Sequence, residues 1–303
     1  PGPGRLSGAG RMTETAQQTG QYGGPAFAFV QQLAGELSSG RLELPSSPEI
    51  VVRVRDALRD ENVSVAKVAR VVGAEPALAA RIMHLASSFA LNPEGRPVAD
   101  LRRAITLMGF NSLRSAAMSF AITQLRDAAR LKHVRERLTA IWIESVLVAA
   151  VAQLVARRQA SLNADEAMLA GLMHGVGKLY ILGRADTYPQ LFDDPASLAQ
   201  VLRDWHASIG RAILEAWGFP EPVVDAVGQQ EDIERAVSGP VDLTDVLTVS
   251  VMMAAYAGHP ADLELNMQGI RGFSRLGLDG PTCAAVLKDA ECDVRALRVA
   301  LGA

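Results

Sequence analysis

Apolar residues recur every three or four positions along most of this chain, the spacing that places them on one face of an α-helix. In the first such stretch, Phe29, Leu33 and Leu37 form one stripe of a helix predicted over Ala26–Ser38. Strict alternation of apolar and polar residues, which is typical of a half-buried strand, is nearly absent. The pattern therefore predicts an all-α protein. Further helices are predicted over Ser47–Leu58, Ser64–Val72, Pro76–Ser87, Asp100–Met108, Asn111–Arg130, Ala140–Arg157, Asn163–His174, Ser197–Trp217, Pro222–Gln230, Thr244–Ala257 and Pro281–Leu301.

The chain changes character near residue 134. The segment Arg126–Arg137 holds five Lys or Arg and two Asp or Glu residues, and a strongly apolar helix follows it. We interpret the charged segment as a solvated helix face rather than a binding patch. The sequence thus predicts a flexible tail over residues 1–24, an N-terminal helical subdomain over 25–134 and a second helical subdomain over 135–303. Met12 would make a natural start within the Gly- and Gln-rich tail.

Composition and charge narrow the classes of function. Hydrophobic residues make up 49% of the chain, the formal net charge is −3, and the isoelectric point is near 6.0, so no global field attracts nucleic acid or an anionic membrane. The two cysteines, Cys283 and Cys292, have no metal-ligand spacing and are typical of free thiols in a reducing cytoplasm. The apolar stretches Ile141–Ala156 and Val246–Gly258 are shorter than the roughly 18 to 20 residues that cross a bilayer. We therefore expect a cytoplasmic protein without a membrane partner.

A run in the middle of the chain carries the most specific pattern. Residues 170–179 read A-G-L-M-H-G-V-G-K-L, with Gly175 directly after His174. Other strings occur in a fixed order around it: L-P-S-S-P-E at 44–49, E-P-A-L at 75–78, A-I-T-L-M-G at 104–109, I-W at 141–142, W-H-A-S-I-G at 205–210, and L-E-A-W-G-F-P at 214–220. Each string is weak alone, but their order and spacing together resemble the HDOD family, the HD-related output domains of bacterial signalling proteins.

The resemblance extends over roughly Leu44 to Gly258 and implies an N-terminal helical subdomain packed on an HD-like helical bundle. Active HD enzymes hold one or two divalent metals with histidines and with the carboxylate that follows a histidine. Such a metal activates water and neutralises phosphate charge, and it needs about three protein ligands. Here Gly175 replaces that carboxylate, Glu144-Ser145 stands where a first histidine is expected, and Gln229-Gln230 replaces paired histidines. The closing aspartate is replaced within residues 251–254.

The remaining candidates are Glu144, His174 and His206, together with Lys178, and they line a predicted vestigial groove. We expect no catalytic residue, no metal and no cofactor there. His174 precedes a glycine turn, where a histidine can satisfy free helix carbonyls, and His206 suits a hydrogen-bonded role at the groove. Lys178 either contacts a phosphate or complements a helix dipole.

Three hypotheses of function follow. The resemblance implies a non-catalytic signalling or regulatory module that acts by protein–protein contact, with a signalling protein as partner and a small molecule or nucleotide as a possible ligand. The second is a metal-dependent phosphohydrolase with atypical ligands, Glu144, His174 and His206. The third is a DNA-binding regulator, because Ser64–Ser87 mimics a helix-turn-helix. Its second helix offers only Arg81 and His84 as basic residues, so nucleic acid is not the expected partner.

Overall fold

The computed structural model describes residues 24–39, 49–60, 62–87, 98–235 and 237–301. Within these ranges the chain is helical without strands, so the predicted all-α class is confirmed. The predicted tail over residues 1–24 lies outside the described residues except for Gly24, which begins the first helix. The helices are α1 (Gly24–Ser39), α2 (Glu49–Leu58), α3 (Val65–Val72), α4 (Pro76–Ser87), α5 (Leu101–Asp127), α6 (Arg135–Arg157), α7 (Ala164–Met173), α8 (Val176–Leu182), α9 (Pro189–Phe192), α10 (Pro195–Ala216), α11 (Glu221–Gln229), α12 (Leu243–Ala255), α13 (Pro260–Met267), α14 (Arg271–Leu276) and α15 (Gly280–Leu301).

Short polar side chains begin several of these helices. The Asp100 carboxylate accepts a hydrogen bond from the Arg103 backbone, and Asn163 accepts from the backbone of Asp165 and Glu166. Both interactions satisfy backbone N–H groups that have no partner inside the helix. Inside α5, Gly109 has a φ of 73°, which breaks the helix at the predicted position. The predicted break at 44–48, including the Ser47 cap, lies outside the described residues.

Helix α6 is the central helix of the fold. Its side chains Trp142, Val146 and Val151 are fully buried, and α7, α12 and α15 pack around it. By length and composition alone, the segment Leu131–Arg157 could cross a membrane, but most of its apolar window is buried inside the protein. We therefore assign it as a core helix. It begins at Arg135 rather than Ala140, so its first turn belongs to the charged segment, whose remainder forms the end of α5 and a 3-10 helix, Ala129–Val134.

Glycines allow two pairs of helices to approach very closely. A Cβ atom on Gly171 of α7 would lie 2.6 Å from Cα of Ala149 on α6. A Cβ atom on Gly177 of α8 would lie 1.9 Å from the backbone oxygen of His206 on α10. Both distances are far below van der Waals contact, so only glycine fits at these crossings. The two contacts fix α7 and α8 against α6 and α10, and they position the residues between them.

Helix α1 packs on helices of the second half of the chain. The Arg184 guanidinium lies 2.9 Å from the Glu36 carboxylate, and the Tyr180 hydroxyl donates to the other Glu36 oxygen. The ring of Phe29 also meets the ring of Tyr188 edge-on at 4.9 Å. A single apolar core runs from α1 to α15 through both halves. The predicted division of the chain at residue 134 stays a prediction.

Candidate functional site

The fold brings together all four residues singled out from the sequence. Glu144 lies on α6, His174 follows α7, Lys178 lies on α8, and His206 lies on α10. They surround one cleft of about 610 Å³. The cleft is lined by Arg137, Ala140, Ile141, Glu144, Lys178, Leu182, Pro195, Leu198, Ala199, Leu202, Arg203, His206 and Glu231. His174 stands directly behind this lining, against Glu144.

His174 is fixed by the backbone at one end of its ring. Its Nδ1 lies 2.8 Å from the carbonyl oxygen of Gly171. A carbonyl only accepts, so Nδ1 carries the proton, and in the neutral ring Nε2 is left as an acceptor. The side chain is 1% exposed, and Nε2 has no hydrogen-bond partner. It faces Glu144, whose Oε1 lies 3.8 Å away, beyond hydrogen-bond distance.

His206 repeats the same arrangement on the other side of the cleft. Its Nδ1 lies 2.8 Å from the carbonyl oxygen of Leu202, so this ring is also oriented by its own helix. Its Nε2 is 3.1 Å from Oε1 of Glu231, at ion-pair distance, but without a well-directed hydrogen bond. The side chain is 2% exposed. Two buried imidazoles thus turn an unsatisfied Nε2 towards the cleft, each beside a carboxylate.

The charges of the cleft favour ionised carboxylates. The nearby His174 ring lowers the pKa of Glu144 below its usual range, against the opposing effect of burial, and Lys178 and His206 act in the same direction. His206 lowers the pKa of Glu231 in the same way, again with help from Lys178. The Lys178 ammonium therefore stabilises both carboxylates. We conclude that both carboxylates of the site are ionised at neutral pH.

The space beside His174 does not fit the carboxylate that an active HD site requires. A Cβ atom on Gly175 would lie 2.9 Å from Cγ2 of Ile141 and 3.1 Å from Oγ of Ser145. Both neighbours are on α6, the helix expected to carry the first histidine ligand. Ser145 is itself occupied, because its hydroxyl donates to the carbonyl of Ile141. A side chain at position 175 therefore requires Ile141 and Ser145 to move.

The other replaced positions also serve internal contacts. The side-chain amide of Gln230 donates to the backbone oxygens of His174 at 3.0 Å and Val227 at 3.1 Å. The Thr248 hydroxyl donates to the Gln230 carbonyl, which ties α12 to the end of α11. On α12 the buried carboxylate is Asp245, and Arg275 holds it at 3.0 Å, away from the histidines. These residues support the cleft from behind and do not enter it.

The donor set of the cleft does not suit a metal ion. Within the described ranges, no group of three or more His, Cys, Asp or Glu side chains is arranged to hold an ion. Glu144, His174 and His206 lie around one cleft but do not converge on a point. The residues present therefore do not fit a catalytic metal, which needs about three protein ligands.

Sequence reasoning missed three polar residues of this cleft. Glu231 directly follows the glutamine pair that replaces the family's paired histidines, so its neighbours point to this region. Arg137 and Arg203 lie at solvent-exposed positions of α6 and α10. From the charge pattern, Arg137 was expected on a solvated helix face. Only the packing of α10 against α8 shows that this residue borders a cleft.

Comparison with known proteins identifies the family to which the chain is related. The HDOD domain family matches residues 44–233. A candidate metal-dependent phosphohydrolase of Shewanella amazonensis SB2B is 27% identical, with a TM-score of 0.69, over 90% of this chain and 98% of that chain. An HDOD domain protein of unknown function from Geobacter sulfurreducens is 25% identical, with a TM-score of 0.58, over 89% and 97%.

A curated relative, an uncharacterized protein of Treponema pallidum (strain Nichols), is 20% identical over 68% of this chain. The aligned part is 41% of that relative, so this chain spans less than half of its length. The family match covers more than half of the present chain and includes α2 to α11 with the cleft between them. The chain therefore belongs to the HDOD domain family.

Proposed function

We propose that this chain is a non-catalytic signalling and regulatory module that acts by protein–protein contact. The observation that carries the proposal is the environment of Gly175. The position that would supply a metal-binding carboxylate is packed against Ile141 and Ser145. These two side chains pack where a side chain at position 175 would begin, while the helices around the cleft are kept.

The retained histidines support the same conclusion. His174 and His206 are both buried. Nδ1 of His174 donates to the Gly171 carbonyl at the end of α7, and Nδ1 of His206 donates to the Leu202 carbonyl of its own helix, α10. Gln230 then holds the backbone at His174. These contacts give the histidines a role in the shape of the cleft, which a signalling module requires even when no chemistry takes place.

The test is elemental analysis after incubation with manganese, iron and zinc and subsequent desalting. The same protein is assayed with phosphodiester and nucleotide substrates. We expect less than about one-tenth of an equivalent of metal, and no turnover, in the wild type, His174→Ala and the control His84→Ala, whose histidine is exposed on α4. Stoichiometric metal and turnover that disappear in His174→Ala but persist in His84→Ala would overturn the proposal.

A metal-dependent phosphohydrolase is the second candidate. It is favoured by the likeness to the Shewanella protein, by His206 in the lining of the cleft and by His174 directly behind that lining. The same experiment decides between the two functions. A DNA-binding role has less support, because Arg81 of α4 donates to the Thr123 hydroxyl at 3.1 Å and so packs inside the protein.

A further inference from the structure

We infer that the cleft binds a small organic anion that has an apolar body and a hydroxyl or amino group. This inference rests on the proposed function, because the molecule is held as a signal and released unchanged. The anionic group of the ligand corresponds to the cationic side chains of the cleft, and its apolar body to an apolar wall. Its hydroxyl or amino group corresponds to hydrogen-bond acceptors that lack a donor.

The cationic side chains come from three different helices. Arg137 is on α6, Lys178 on α8 and Arg203 on α10, and all three line the cleft. None of them forms an ion pair or a hydrogen bond with another residue of the described ranges, whereas both carboxylates face a histidine. Three cationic side chains and two carboxylates line the cleft, which leaves an excess of one positive charge. An anionic group is therefore the complement of the cleft, and an arginine can bind a carboxylate or a phosphate in the same bidentate way.

The wall between these charges is apolar. Ile141 and Leu202 are partly exposed to the cleft from α6 and α10, and Leu182 and Leu198 continue the surface. A volume of about 610 Å³ lies within the range of small-molecule sites, roughly 300 to 1,000 Å³. An anion without an apolar body would leave this wall in water, so inorganic phosphate alone is a poor fit.

The buried imidazole of His206 defines the third part of the ligand. Because Nδ1 of His206 donates to Leu202, Nε2 of the neutral ring can only accept a hydrogen bond. It is buried and lacks a well-directed partner, and the Glu231 carboxylate, which also accepts, lies 3.1 Å away. A buried polar atom without a partner costs free energy, which a donor group on the ligand would recover. The carboxylate of Glu144 accepts as well, so this end of the cleft selects a hydroxyl or an amine.

Isothermal titration calorimetry of the full chain with four probes tests this assignment. The probes are 4-hydroxyphenylacetate, phenylacetate, the neutral alcohol 4-hydroxyphenethyl alcohol, and phenyl phosphate. We expect 4-hydroxyphenylacetate to bind about tenfold more tightly than phenylacetate, the value of one hydrogen bond to a buried acceptor. We expect the neutral alcohol to bind at least about tenfold more weakly than 4-hydroxyphenylacetate, because it has no charge for the arginines.

Two variants and a control locate the site. Arg137→Gln and Arg203→Gln should each weaken binding of 4-hydroxyphenylacetate by about tenfold, since each removes a charged donor from an exposed side chain that folding does not need. Arg53→Gln, at an exposed position of α2, should leave the affinity unchanged. Phenyl phosphate is compared with phenylacetate, since neither carries the hydroxyl group. The tighter of the two shows whether the cleft prefers a phosphate or a carboxylate.

The outcomes separate the two proposals. No detectable binding of any anionic probe at millimolar concentration, or equal affinity in wild type and the double variant Arg137→Gln/Arg203→Gln, would overturn the ligand assignment. Equal affinity for the neutral alcohol and its anionic counterpart would do the same. Release of inorganic phosphate from bound phenyl phosphate would overturn the non-catalytic function and leave the anion site standing.

Discussion

The atoms packed around Gly175 leave little space for a side chain at this position. The φ of Gly175, −88°, is accessible to any residue, so the backbone does not demand glycine here. The demand comes from Ile141 and Ser145, which lie only 2.9 and 3.1 Å from the point that a Cβ atom would occupy. An aspartate at this position would consequently need Ile141 and Ser145 to move.

The variant Gly175→Asp should therefore lose stability without gaining a metal. Its side chain overpacks the contact with α6 and places a carboxyl group in a buried space, so we expect a loss of about 1 to 3 kcal/mol in the free energy of unfolding. Urea denaturation measures this change. Gly175→Ala should lose less, and the double variant Ile141→Ala/Gly175→Asp should recover part of the stability. Full stability together with stoichiometric manganese in Gly175→Asp would contradict the steric account.

The carboxylates of the cleft predict an acid-sensitive contribution to stability. The pKa of Glu144 and of Glu231 is lower in the folded protein than in the unfolded chain. Each group therefore stabilises the fold above the unfolded value of about 4.3, and this contribution is lost as the pH falls through the folded pKa. The variant Glu144→Gln/Glu231→Gln should show a shallower loss of unfolding free energy below about pH 4.3 than the wild type. Identical slopes in chemical denaturation from about pH 6 to about pH 3 would refute this expectation.

For single residues, the sequence indicated which side chains lie around the same groove, but not which hydrogen-bond partners they have. The order of the motifs placed Glu144, His174, Lys178 and His206 around one groove, because each string marks a helix of the same bundle. The orientation of the imidazoles depends on carbonyls of Gly171 and Leu202, and backbone directions are not visible in a residue pattern. Glu231 was not predicted for a similar reason. It lies just after α11, and the direction of the chain there, which brings it to the cleft, is not visible in the sequence.

Among the helices, close crossings at glycine hold the cleft together. Replacing Gly171 or Gly177 by alanine should improve intrinsic helix propensity by about 1 kcal/mol, but the added methyl group collides with backbone atoms. Backbone cannot move aside as a flexible side chain can, so we expect a net loss of at least about 2 kcal/mol in each variant. Thermal and urea denaturation measure it.

Gly35 provides the matched control for these two variants. It lies at an exposed position of α1, and a Cβ atom there would meet nothing within 4 Å. Gly35→Ala should therefore be neutral or stabilise the protein by up to about 1 kcal/mol. Equal effects at positions 35, 171 and 177 would show that the crossings are looser than described.

The contact between α1 and α8 predicts a local effect of a substitution outside the cleft. Glu36 binds Arg184 and accepts from Tyr180, and burial together with Glu36 raises the pKa of the Tyr180 phenol, which keeps it a donor. Glu36→Gln removes the charge from a partly buried network. We expect hydrogen exchange in α1 to accelerate by about tenfold, with little change in α6. Glu49→Gln, exposed at the start of α2, is the control, and uniform acceleration across all helices would contradict a local role.

Most helices were predictable from the sequence, but four short ones in the second half of the chain were not. The apolar period located α4, α10 and α15 to within two residues, because each repeats its stripe over three or more turns. Helices α8, α9, α13 and α14 have four to eight residues, too few for a period to stand out. Helix α8 mattered most among them, because it carries Lys178 and completes the cleft.

For the whole molecule, the sequence predicted the all-α class and the HD-like arrangement of its second half. It did not predict that α1 would pack on α8 to α10, a contact made by residues far apart in the chain. Tertiary packing decides such placements, since a local stripe shows which face is buried but not what buries it.

The central position of α6 has a consequence for how the protein is made. Its apolar side chains are covered partly by α15, which begins at Gly280, whereas α6 ends at Arg157. A ribosome adds about 5 to 20 residues per second, so the face of α6 that α15 covers waits for roughly 6 to 25 s before α15 is synthesised. During that interval, α7 and α12 can already pack on α6, but the face that α15 covers stays exposed. The yield of the protein in the cell should therefore depend on chaperones that bind apolar helices, and on the speed at which the last helices arrive.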